Sequence, residues 1–386
     1  MTPQKRPLRI MTFIHSFSPG GVERIALRLC SAWMHDPGLD VRLVIGRNSG
    51  PLQHQAPKGL APHITPSGPI DTAPFESLWM IAVLRQQILR QKPDIVFCPG
   101  NAYSIVAVAM KTLLGRRCPP IVLKISNDLE RPDMSPAVRR LYWRWLEIQG
   151  RSLDAFTALA PPMAAEIEAR LKVEATRITT IEDPALSLAD IKALEAMGHT
   201  RTPATRGRRY LAVGRLEPQK NFPLLLRAFA SSASPHDRLT ILGEGAERPR
   251  LEAIIAEQGL QAQIALPGHG PVPPALAAHD VFVLSSAYEG VPAAVIEALA
   301  AGLPVVATNC SVSMPSLVGS FGTIVANFDE AAFAAAMQAQ PLPGAAARAR
   351  AAEAMRAFTI ERAASHYARL FAGLLENSPE IAILQS

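Results

Sequence analysis

Short apolar runs typical of β-strands alternate with longer stretches of helical periodicity along most of the chain, and the alternation starts again near residue 210. Strands separated by helices predict a doubly wound, mostly parallel sheet, because each parallel connection has to cross the sheet and a helix makes that crossing. The 386 residues are enough for two domains of ordinary size. The sequence therefore predicts an α/β protein made of two doubly wound domains in tandem.

The predicted strands fall into two sets, one in each half of the chain. The first set is 8–14, 41–45, 94–97, 121–125 and, more weakly, 156–160, with helical stretches near 22–34, 77–91, 102–114 and 136–150. The second set is 210–214, 238–242, 263–266, 281–284, 305–307 and 323–325, followed by an Ala-rich helical stretch over 330–357. Between the sets, 199–209 is polar, rich in arginine and broken by Pro and Gly, as linkers are. We therefore predict an N-terminal domain over 1–185, a linker over 186–209 and a C-terminal domain over 210–357.

Cysteine usage and hydropathy indicate the cellular compartment of the protein. The four cysteines have neither CxxC nor Cys/His ligand spacing, which argues against a disulfide framework or a zinc site and favours a reducing compartment. The basic N-terminus carries an apolar run too short for a signal peptide, and no run reaches the length of a transmembrane helix. We therefore expect a cytoplasmic protein, either free or peripheral at the inner face of the cytoplasmic membrane.

The positive charge of the chain lies in its first half, since residues 1–185 carry +7 and residues 186–386 carry −1 of the net +6. The predicted helix over 136–148 is basic and amphipathic. Its apolar face holds Val138, Leu141, Trp145 and Ile148, with Tyr142 and Trp143 flanking, and Arg139, Arg140 and Arg144 lie elsewhere. Such a helix suits an anionic membrane surface, and the alternative, which is slightly favoured for this helix taken alone, is packing on its own sheet with solvated arginines. The charge predicts peripheral contact with an anionic membrane or a lipid-linked polyanionic acceptor, and we expect no nucleic-acid partner.

Two carboxylates, Glu289 and Glu297, stand on either side of a predicted helix start. Pro292 suits the first helical position, and Gly302 suits the residue just past the helix end. A helix that starts directly after a strand and a Gly-containing loop presents unpaired backbone N–H groups and a positive dipole end, where anions bind. Glu297 then lies roughly 7–8 Å along the axis from that end, at 1.5 Å per residue. A nucleotide-sugar, with a phosphate between two sets of hydroxyls, fits this arrangement, and the alternative is two solvated glutamates.

A second motif, V213-G-R-L-E-P-Q-K-N-F-P-L-L-L-R-A-F229, places cations on a loop between a strand and a helix. The strand ends at Gly214, the loop carries Arg215 and Lys220, and an amphipathic helix follows. Doubly wound sheets bind ligands at the carboxyl ends of their strands, which is where this loop lies. An Arg fork and a Lys point charge suit a diphosphate, and the alternative is a pair of solvated loop cations.

The segment E289-G-V-P-A-A-V-I-E297 closely resembles the signature of retaining, family 4 type glycosyltransferases with the GT-B fold, in which seven residues separate two glutamates. The resemblance implies two Rossmann-like domains facing a cleft, the first binding the acceptor and the second the nucleotide-sugar donor. It implies that Glu289 contacts the transferred sugar and Glu297 the ribose, and that Arg215 and Lys220 stabilise the departing diphosphate. It also implies that the last helix, within 358–386, crosses back to the first domain.

Gly-containing loops add to the resemblance. F17-S-P-G-G-V-E-R24 is similar to the family's GGxER loop, which puts Gly20 and Gly21 against the donor phosphates or the acceptor. L242-G-E-G-A-E247 is similar to the donor-domain G-x-G turn, and L266-P-G-H-G270 to the loop that meets the base. His269 there is either a group stacked near the base or an exposed turn residue. The donor-binding residues implied are Gly214, Gly243, Gly245, Gly268, His269, Gly290, Val291, Pro292 and Glu297.

The chain departs from the family pattern at two places on the acceptor side. Many relatives have a His at the tip of the strand that matches 121–125, whereas this chain continues S126-N-D-L-E130. Asn127 or Asp128 then takes the sugar-facing position, and we assign Asn127 to the catalytic set with Glu289, Arg215 and Lys220. The family's Pro-Asn or Asn-Pro turn at the domain boundary carries Asp183 in place of Asn. Because a departing phosphate can take the acceptor proton in a front-face retaining mechanism, a strong protein base is optional.

The predicted chemistry follows from these motifs. No two aspartates stand two residues apart, so the Asp-x-Asp metal motif of the other main glycosyltransferase fold is missing. The cations and the helix start suit the phosphates, so we expect no metal and no cofactor besides the nucleotide-sugar substrate. The sequence predicts transfer from a nucleotide-sugar, by default a UDP-sugar, to a glycan, lipid-linked saccharide or lipopolysaccharide-type acceptor with retention. The alternatives are a non-catalytic nucleotide-sugar-binding subunit and a GT-B type epimerase.

Overall fold

The computed structural model describes residues 6–60, 62–64, 72–131, 134–202 and 204–376. Its strands are β1 (Leu8–Ile14), β2 (Leu39–Ile45), β3 (His63–Ile64), β4 (Ile95–Cys98), β5 (Ile121–Lys124), β6 (Ala155–Ala158), β7 (Ile178–Thr180), β8 (Arg209–Val213), β9 (Arg238–Leu242), β10 (Ile264–Gly268), β11 (Val281–Leu284), β12 (Val305–Thr308) and β13 (Gly322–Val325). Its α-helices are α1 (Gly21–Trp33), α2 (Glu76–Gln91), α3 (Ser104–Leu114), α4 (Pro136–Ser152), α5 (Pro161–Leu171), α6 (Leu188–Thr200), α7 (Phe222–Ser232), α8 (Arg248–Glu257), α9 (Val272–Ala278), α10 (Ala293–Ala300), α11 (Met314–Val318), α12 (Glu330–Ala339), α13 (Ala345–Met355) and α14 (Ile360–Glu376). They form two compact units, unit 1 from Met1–Pro184 with Ile360–Ser386 and unit 2 from Ala185–Thr359.

Unit 1 is built on a seven-stranded parallel sheet in the order β3-β2-β1-β4-β5-β6-β7. The chain moves from β1 out to β3 at one edge and then returns to place β4 on the other side of β1. The strand order therefore reverses between β1 and β4. Doubly wound sheets bind ligands outside the carboxyl ends of the strands at such a reversal, so the loops after β1 and β4 are the expected binding loops of unit 1.

The last helix, α14, belongs to unit 1, which confirms the return of the chain that the resemblance implies. Trp33 at the end of α1 meets Tyr367 and Phe371 of α14 edge-on, with ring centroids 5.8 and 5.4 Å apart. The indole Nε1 donates to the carbonyl of Ala364 at 3.2 Å, and Phe97 of β4 joins the same cluster. All four rings are buried, so α14 completes the core of unit 1. The predicted element continues to 386, and residues 377–386 lie outside the described residues.

Unit 2 is built on a six-stranded parallel sheet in the order β10-β9-β8-β11-β12-β13, which reverses between β8 and β11. Successive side chains of a strand point to opposite faces of a sheet, so neighbouring residues enter different cores. Phe282 packs in one apolar cluster with the side chains of α6 and α10, and Val283 packs in the other with those of α7 and α8. Both faces of the sheet are therefore covered, as a doubly wound fold requires.

The structure corrects the predicted linker over 186–209, because α6 occupies more than half of it and packs within unit 2. Ser187 starts this helix as a capping box, in which its Oγ accepts from Asp190 N at 3.0 Å and its own N–H donates to the Asp190 carboxylate at 2.8 Å. Ile191 and Leu194 are buried in the unit 2 core. The Arg-rich composition that indicates a linker begins only near the end of α6.

Candidate functional site

The strand-order reversal of unit 2 brings together the loops that follow β8 and β11. At this point Nζ of Lys220 donates to Oε1 of Glu289 at 2.5 Å, and Oγ of Ser286 donates to the same oxygen at 2.8 Å. The Lys220 and Glu289 side chains are only 18% and 12% exposed. Two residues that the sequence places in one site, 69 positions apart, thus meet as a mostly buried ion pair at the edge where such sheets bind ligands.

The loop that carries Glu289 is held from both sides by hydrogen bonds. On the β8 side, Ala287 N donates to Gln219 O at 2.8 Å, and the Gln219 side-chain amide donates to Tyr288 O at 2.9 Å. On the β12 side, Glu289 N donates to Cys310 O at 2.8 Å, and Ser311 Oγ donates to Gly290 O at 2.6 Å. The carboxylate is therefore fixed by its backbone as well as by Lys220.

Helix α10 begins directly after this loop and ends as predicted. Pro292 lies at the N-cap, one residue before the predicted position, and no side chain caps the helix among the described residues. Gly302 follows the last turn with φ +70°, and Arg201 donates to the carbonyls of Ala301 and Gly302 at 2.6 and 3.3 Å. The start of α10 thus presents backbone N–H groups beside Glu289, and Glu297 lies half-buried about 6 Å farther along the axis at 1.5 Å per residue.

Arg215 lies on the Lys220 loop but does not join the ion pair. Its guanidinium donates to Oε1 of Glu217 at 2.7 Å, and the Arg215 side chain is 66% exposed. Exposed ion pairs of this kind contribute roughly 0–1 kcal/mol, so Arg215 can exchange Glu217 for another anion at little cost. Arg215 therefore lies on the same loop as Lys220, at the solvent side of that loop, and its place in a shared site stays a prediction.

Two glycines allow two neighbouring loops of unit 2 to touch. Gly243 has φ +151°, and a Cβ there would overlap the carbonyl oxygen of Gly214. A Cβ on Gly245 would overlap the carbonyl of Leu216, whose N–H donates to Glu244 O at 2.8 Å. The loop after β9 therefore lies directly against the Arg215–Lys220 loop because neither glycine has a side chain.

The remaining sequence-predicted donor residues lie around these loops. Gly268, at the end of β10, accepts from Gly243 N at 2.9 Å. His269 is exposed. Val291 is partly buried against the unit 2 core, in the turn between Gly290 and Pro292. These positions line the same carboxyl edge of the sheet, and the structure gives His269 no fixed contact with the Lys220–Glu289 pair.

Burial also shapes the chemistry of the thiol beside Glu289. Burial and the Glu289 charge raise the pKa of Cys310 to about 12. Near neutral pH the raised pKa therefore favours the protonated thiol over the more nucleophilic thiolate.

In unit 1, the predicted residues Gly20 and Gly21 open α1 after β1. Gly20 is the N-cap, and Gly21 is exposed at the first helical position. Glu23, in the same first turn, accepts a hydrogen bond from Tyr103 Oη at 2.5 Å, and Tyr103 also contacts His15. Sequence reasoning missed these three side chains. The Glu of the GGxER resemblance is a signal for Glu23, whereas no local pattern indicates Tyr103 or His15.

The predicted Asn127 is exposed on the loop after β5, and its neighbours fix that loop. Asn101 Oδ1 accepts from Ser126 N at 2.7 Å. Glu166 of α5 accepts from the backbone N–H groups of Leu129 and Glu130 at 2.9 and 2.6 Å. Asn127 therefore lies beyond the carboxyl end of β5, and its substrate-facing role stays a prediction.

Asp183, which replaces the family's Asn, pairs with a buried lysine. Nζ of Lys124, at the end of β5, lies 2.9 Å from Oδ1 of Asp183, and the two side chains are 1% and 8% exposed. A charge removed from water in this way requires an opposite charge beside it. The departure at Asp183 is thus matched by the cation at Lys124.

No helix within the described ranges is long and apolar enough to cross a membrane.

Two models of known protein families each match a different part of the chain. Residues 19–184 match the model described as Glycosyltransferase Family 4, and residues 207–340 match the model described as Glycosyl transferases group 1. An uncharacterized glycosyltransferase of Methanocaldococcus jannaschii is 38% identical over 104 residues, which is 26% of each chain. The UDP-Gal:alpha-D-GlcNAc-diphosphoundecaprenol alpha-1,3-galactosyltransferase of Escherichia coli is 25% identical over 305 residues, or 75% of this chain and 76% of that one.

Solved structures resemble the whole fold. Anabaena HepE in complex with UDP gives a TM-score of 0.72 at 18% identity, over 95% of this chain and all of that one. Sucrose-phosphate synthase from Thermosynechococcus elongatus gives 0.75 at 18% identity, over 96% of this chain and all of that one. At these identities the likeness concerns the fold, which is the GT-B arrangement of two Rossmann-like domains.

Proposed function

The chain belongs to the family 4, group 1 type of glycosyltransferases with the GT-B fold, and on that premise we propose that it moves a sugar from a UDP-sugar to a glycan or lipid-linked saccharide with retention of configuration. The observation that carries the proposal is the Lys220–Glu289 pair beside the start of α10. A cation, a carboxylate and free helix N–H groups within one loop cluster provide partners for a diphosphate and for the sugar attached to it.

The donor diphosphate would bind at the start of α10, with Lys220 and Arg215 as its cations. Because Arg215 makes only an exposed pair with Glu217, a phosphate can recruit its guanidinium. Glu289 would accept hydrogen bonds from the hydroxyls of the transferred sugar, and Glu297 from those of the ribose. A carboxylate only accepts hydrogen bonds, so both residues suit the hydroxyl-bearing ends of the donor.

The proposed reaction breaks the bond between the anomeric carbon and the diphosphate oxygen and forms a bond from the acceptor oxygen on the same face. The acceptor proton passes to the departing phosphate oxygen, so no protein base has to take it. Lys220, Arg215 and the α10 N–H groups stabilise the negative charge that develops on the diphosphate. We propose that this stabilisation operates without a metal ion, and that Asn127 of unit 1 is a substrate-facing residue whose amide can both donate and accept hydrogen bonds.

The named relatives support a lipid-linked or glycan acceptor. The E. coli relative is named as a galactosyltransferase acting on a diphosphoundecaprenol-linked sugar. A Campylobacter jejuni relative, 36% identical over 118 residues, is likewise named for a diphospho-undecaprenol substrate. We propose an acceptor of this class and, with it, action at the cytoplasmic face of a membrane.

The surface of unit 1 supports the membrane part of this proposal. Leu141, Val138 and Ile148 of α4 are 72%, 55% and 45% exposed, and Arg140 and Arg144 are exposed on the same helix. Leu113 on the neighbouring α3 is also exposed. Exposed apolar and cationic side chains on one helix suit an anionic bilayer. Co-sedimentation with vesicles containing phosphatidylglycerol tests this, since Arg140→Ala/Arg144→Ala should bind less than wild type, and equal binding would contradict it.

Thermal unfolding with UDP, GDP, ADP and CMP, each with and without EDTA, tests the donor proposal. We expect UDP to raise the midpoint most and EDTA to leave that shift unchanged. A shift that EDTA abolishes would contradict metal independence. A larger shift with another nucleotide would show that the donor carries a base other than uracil. A membrane-extracted lipid-linked product, with its new anomeric configuration read by NMR, tests retention.

A further inference from the structure

A cluster of titratable side chains lies at the carboxyl ends of β1 and β4, at the strand-order reversal of unit 1. Tyr103 Oη donates to Oε1 of Glu23 at 2.5 Å and accepts from the backbone N–H of His15 at 3.3 Å. The Tyr103 and His15 rings meet edge-on with their centroids 4.5 Å apart. Because Tyr103 is buried, its hydroxyl ties the Glu23 carboxylate to the end of the strand.

Gly20 leaves the space that the Glu23 carboxylate fills. A Cβ on Gly20 would overlap Oε2 of Glu23, so any larger residue at position 20 would displace the carboxylate. The carboxylate therefore lies over the start of α1, where a bound anion would otherwise meet the helix N–H groups. Two negative charges so close repel each other, whereas the hydroxyl of a neutral sugar donates to a carboxylate.

Polar atoms near the cluster have hydrogen-bonding capacity that the described residues do not use. Nε2 of His15 and Oγ of Ser126 are buried without a hydrogen-bond partner in the described part of the chain. Nδ1 of His15 lies 3.4 Å from the Glu76 carboxylate. Burial lowers the pKa of His15 to about 4, so the ring is neutral near pH 7 and offers one donor and one acceptor. Sugar hydroxyls, which both donate and accept, match such groups.

We propose that Glu23 binds a hydroxyl of a neutral sugar in unit 1, and that Tyr103 and Gly20 position its carboxylate. That this sugar belongs to the acceptor rests on the proposed function. Of the two ligands predicted for the Gly20–Gly21 loop, the geometry favours the acceptor over the donor phosphates. Gly20 then acts through Glu23, and Glu23 supplies the specificity for hydroxyl over phosphate.

Ligand-observed saturation-transfer NMR tests the assignment. The neutral probes are methyl α-glucoside, methyl α-galactoside and methyl N-acetyl-α-glucosaminide, and the anionic probe is glucose 1-phosphate. Glu23→Gln and Tyr103→Phe are compared with wild type and with Glu168→Gln, an exposed residue of α5. UDP affinity is measured by calorimetry on the same samples, and circular dichroism with thermal unfolding reports whether unit 1, which carries Glu23 and Tyr103, is folded in each variant.

We expect a neutral probe to bind wild type and Glu168→Gln with the same affinity. We expect it to bind Glu23→Gln at least about tenfold more weakly, because a hydrogen bond to a charged group is lost. Tyr103→Phe should weaken it less, and UDP affinity should stay unchanged in all four proteins. Equal probe binding by wild type and Glu23→Gln, or preference of wild type for glucose 1-phosphate, would overturn the assignment. Wild type that binds UDP but no neutral probe overturns this inference alone, whereas wild type that fails to bind UDP overturns the proposed function.

Discussion

Nζ of Lys220 lies 2.5 Å from Oε1 of Glu289, although the proposed reaction gives the two residues different ligands, the diphosphate and the transferred sugar. A diphosphate that recruits Lys220 has to compete with Glu289 for the ammonium group. Once it does, the carboxylate is available to the sugar hydroxyls, with Ser286 Oγ still donating to it at 2.8 Å. If the two residues have the proposed ligands, phosphate binding and sugar recognition are coupled through this one ion pair.

Glu289→Gln should separate these two effects. The variant removes the charge that competes for Lys220, so we expect the UDP dissociation constant to stay equal or to fall. Turnover should decrease at least about 100-fold, as for the loss of one preorganised transition-state contact. Calorimetry and UDP release measure the two quantities, with Glu257→Gln on the exposed end of α8 as the matched control. Weaker UDP binding with normal turnover would show that the role assigned to Glu289 is wrong.

Glu297 should report on the ribose of the donor. We expect wild type to bind UDP about tenfold more tightly than 2′,3′-dideoxy-UDP, because a carboxylate that accepts from the ribose hydroxyls loses its partners in the analogue. Glu297→Ala should bind both nucleotides with the same, weaker affinity. Calorimetric titration of both proteins with both ligands gives the coupling free energy between Glu297 and the ribose hydroxyls directly. A tenfold preference that persists in Glu297→Ala would assign the ribose to another residue.

Gly243→Ala should destabilise unit 2. The substitution combines a φ of +151° with overlap of the Gly214 carbonyl, and we expect a loss of at least about 2 kcal/mol in the free energy of unfolding, with weaker UDP binding. Gly344→Ala, where a Cβ meets nothing within 4 Å, is the control and should change stability by less than about 1 kcal/mol. Urea unfolding compares the two. Equal effects would mean that the loop contact is not tight.

Removal of one partner of the buried Lys124–Asp183 pair should lower the free energy of unfolding much more than removal of both charges. Lys124→Met leaves a buried carboxylate alone, and we expect it to lower the free energy of unfolding of unit 1 by about 3–5 kcal/mol. The double variant Lys124→Met/Asp183→Asn should recover most of that loss, since no buried charge remains. Thermal unfolding of the single and double variants tests this. A double variant no more stable than Lys124→Met would argue against a charge-pair origin for Asp183.

The parts of the fold that the sequence predicts are those with strong local signals. β11, α10 and β12 follow from buried apolar runs and from Gly302 past the helix end, and only Pro292 is displaced, by one residue. The edge strands β3 and β7 carry two and three residues, too few to show a pattern. The predicted linker covers α6 because the polar, Arg-rich stretch over 199–209 is typical of linkers, and the capping box at Ser187 is a weaker local signal.

The candidate site likewise has features that the sequence predicts and contacts that it does not. The motifs predict that Lys220 and Glu289 share a site, but their direct contact depends on β8 and β11 being neighbours, which no local pattern encodes. Glu23 and Tyr103 lie 80 residues apart and meet only because β1 and β4 pair. For Arg215, the sequence predicts its position between a strand and a helix. Its ion pair with Glu217 depends on side-chain geometry that the sequence does not show.

Release of UDP from a panel of UDP-sugars, followed in the presence of EDTA for wild type and Lys220→Met, tests the central claim most directly. We predict that wild type cleaves at least one UDP-sugar, and that Lys220→Met does so at least about 100-fold more slowly because the leaving diphosphate loses its buried cation. Arg227→Ala, whose side chain pairs with Glu330 on the surface, should behave as wild type. A wild-type protein that neither binds nor cleaves any UDP-sugar, or a Lys220→Met variant as fast as wild type, would contradict the account.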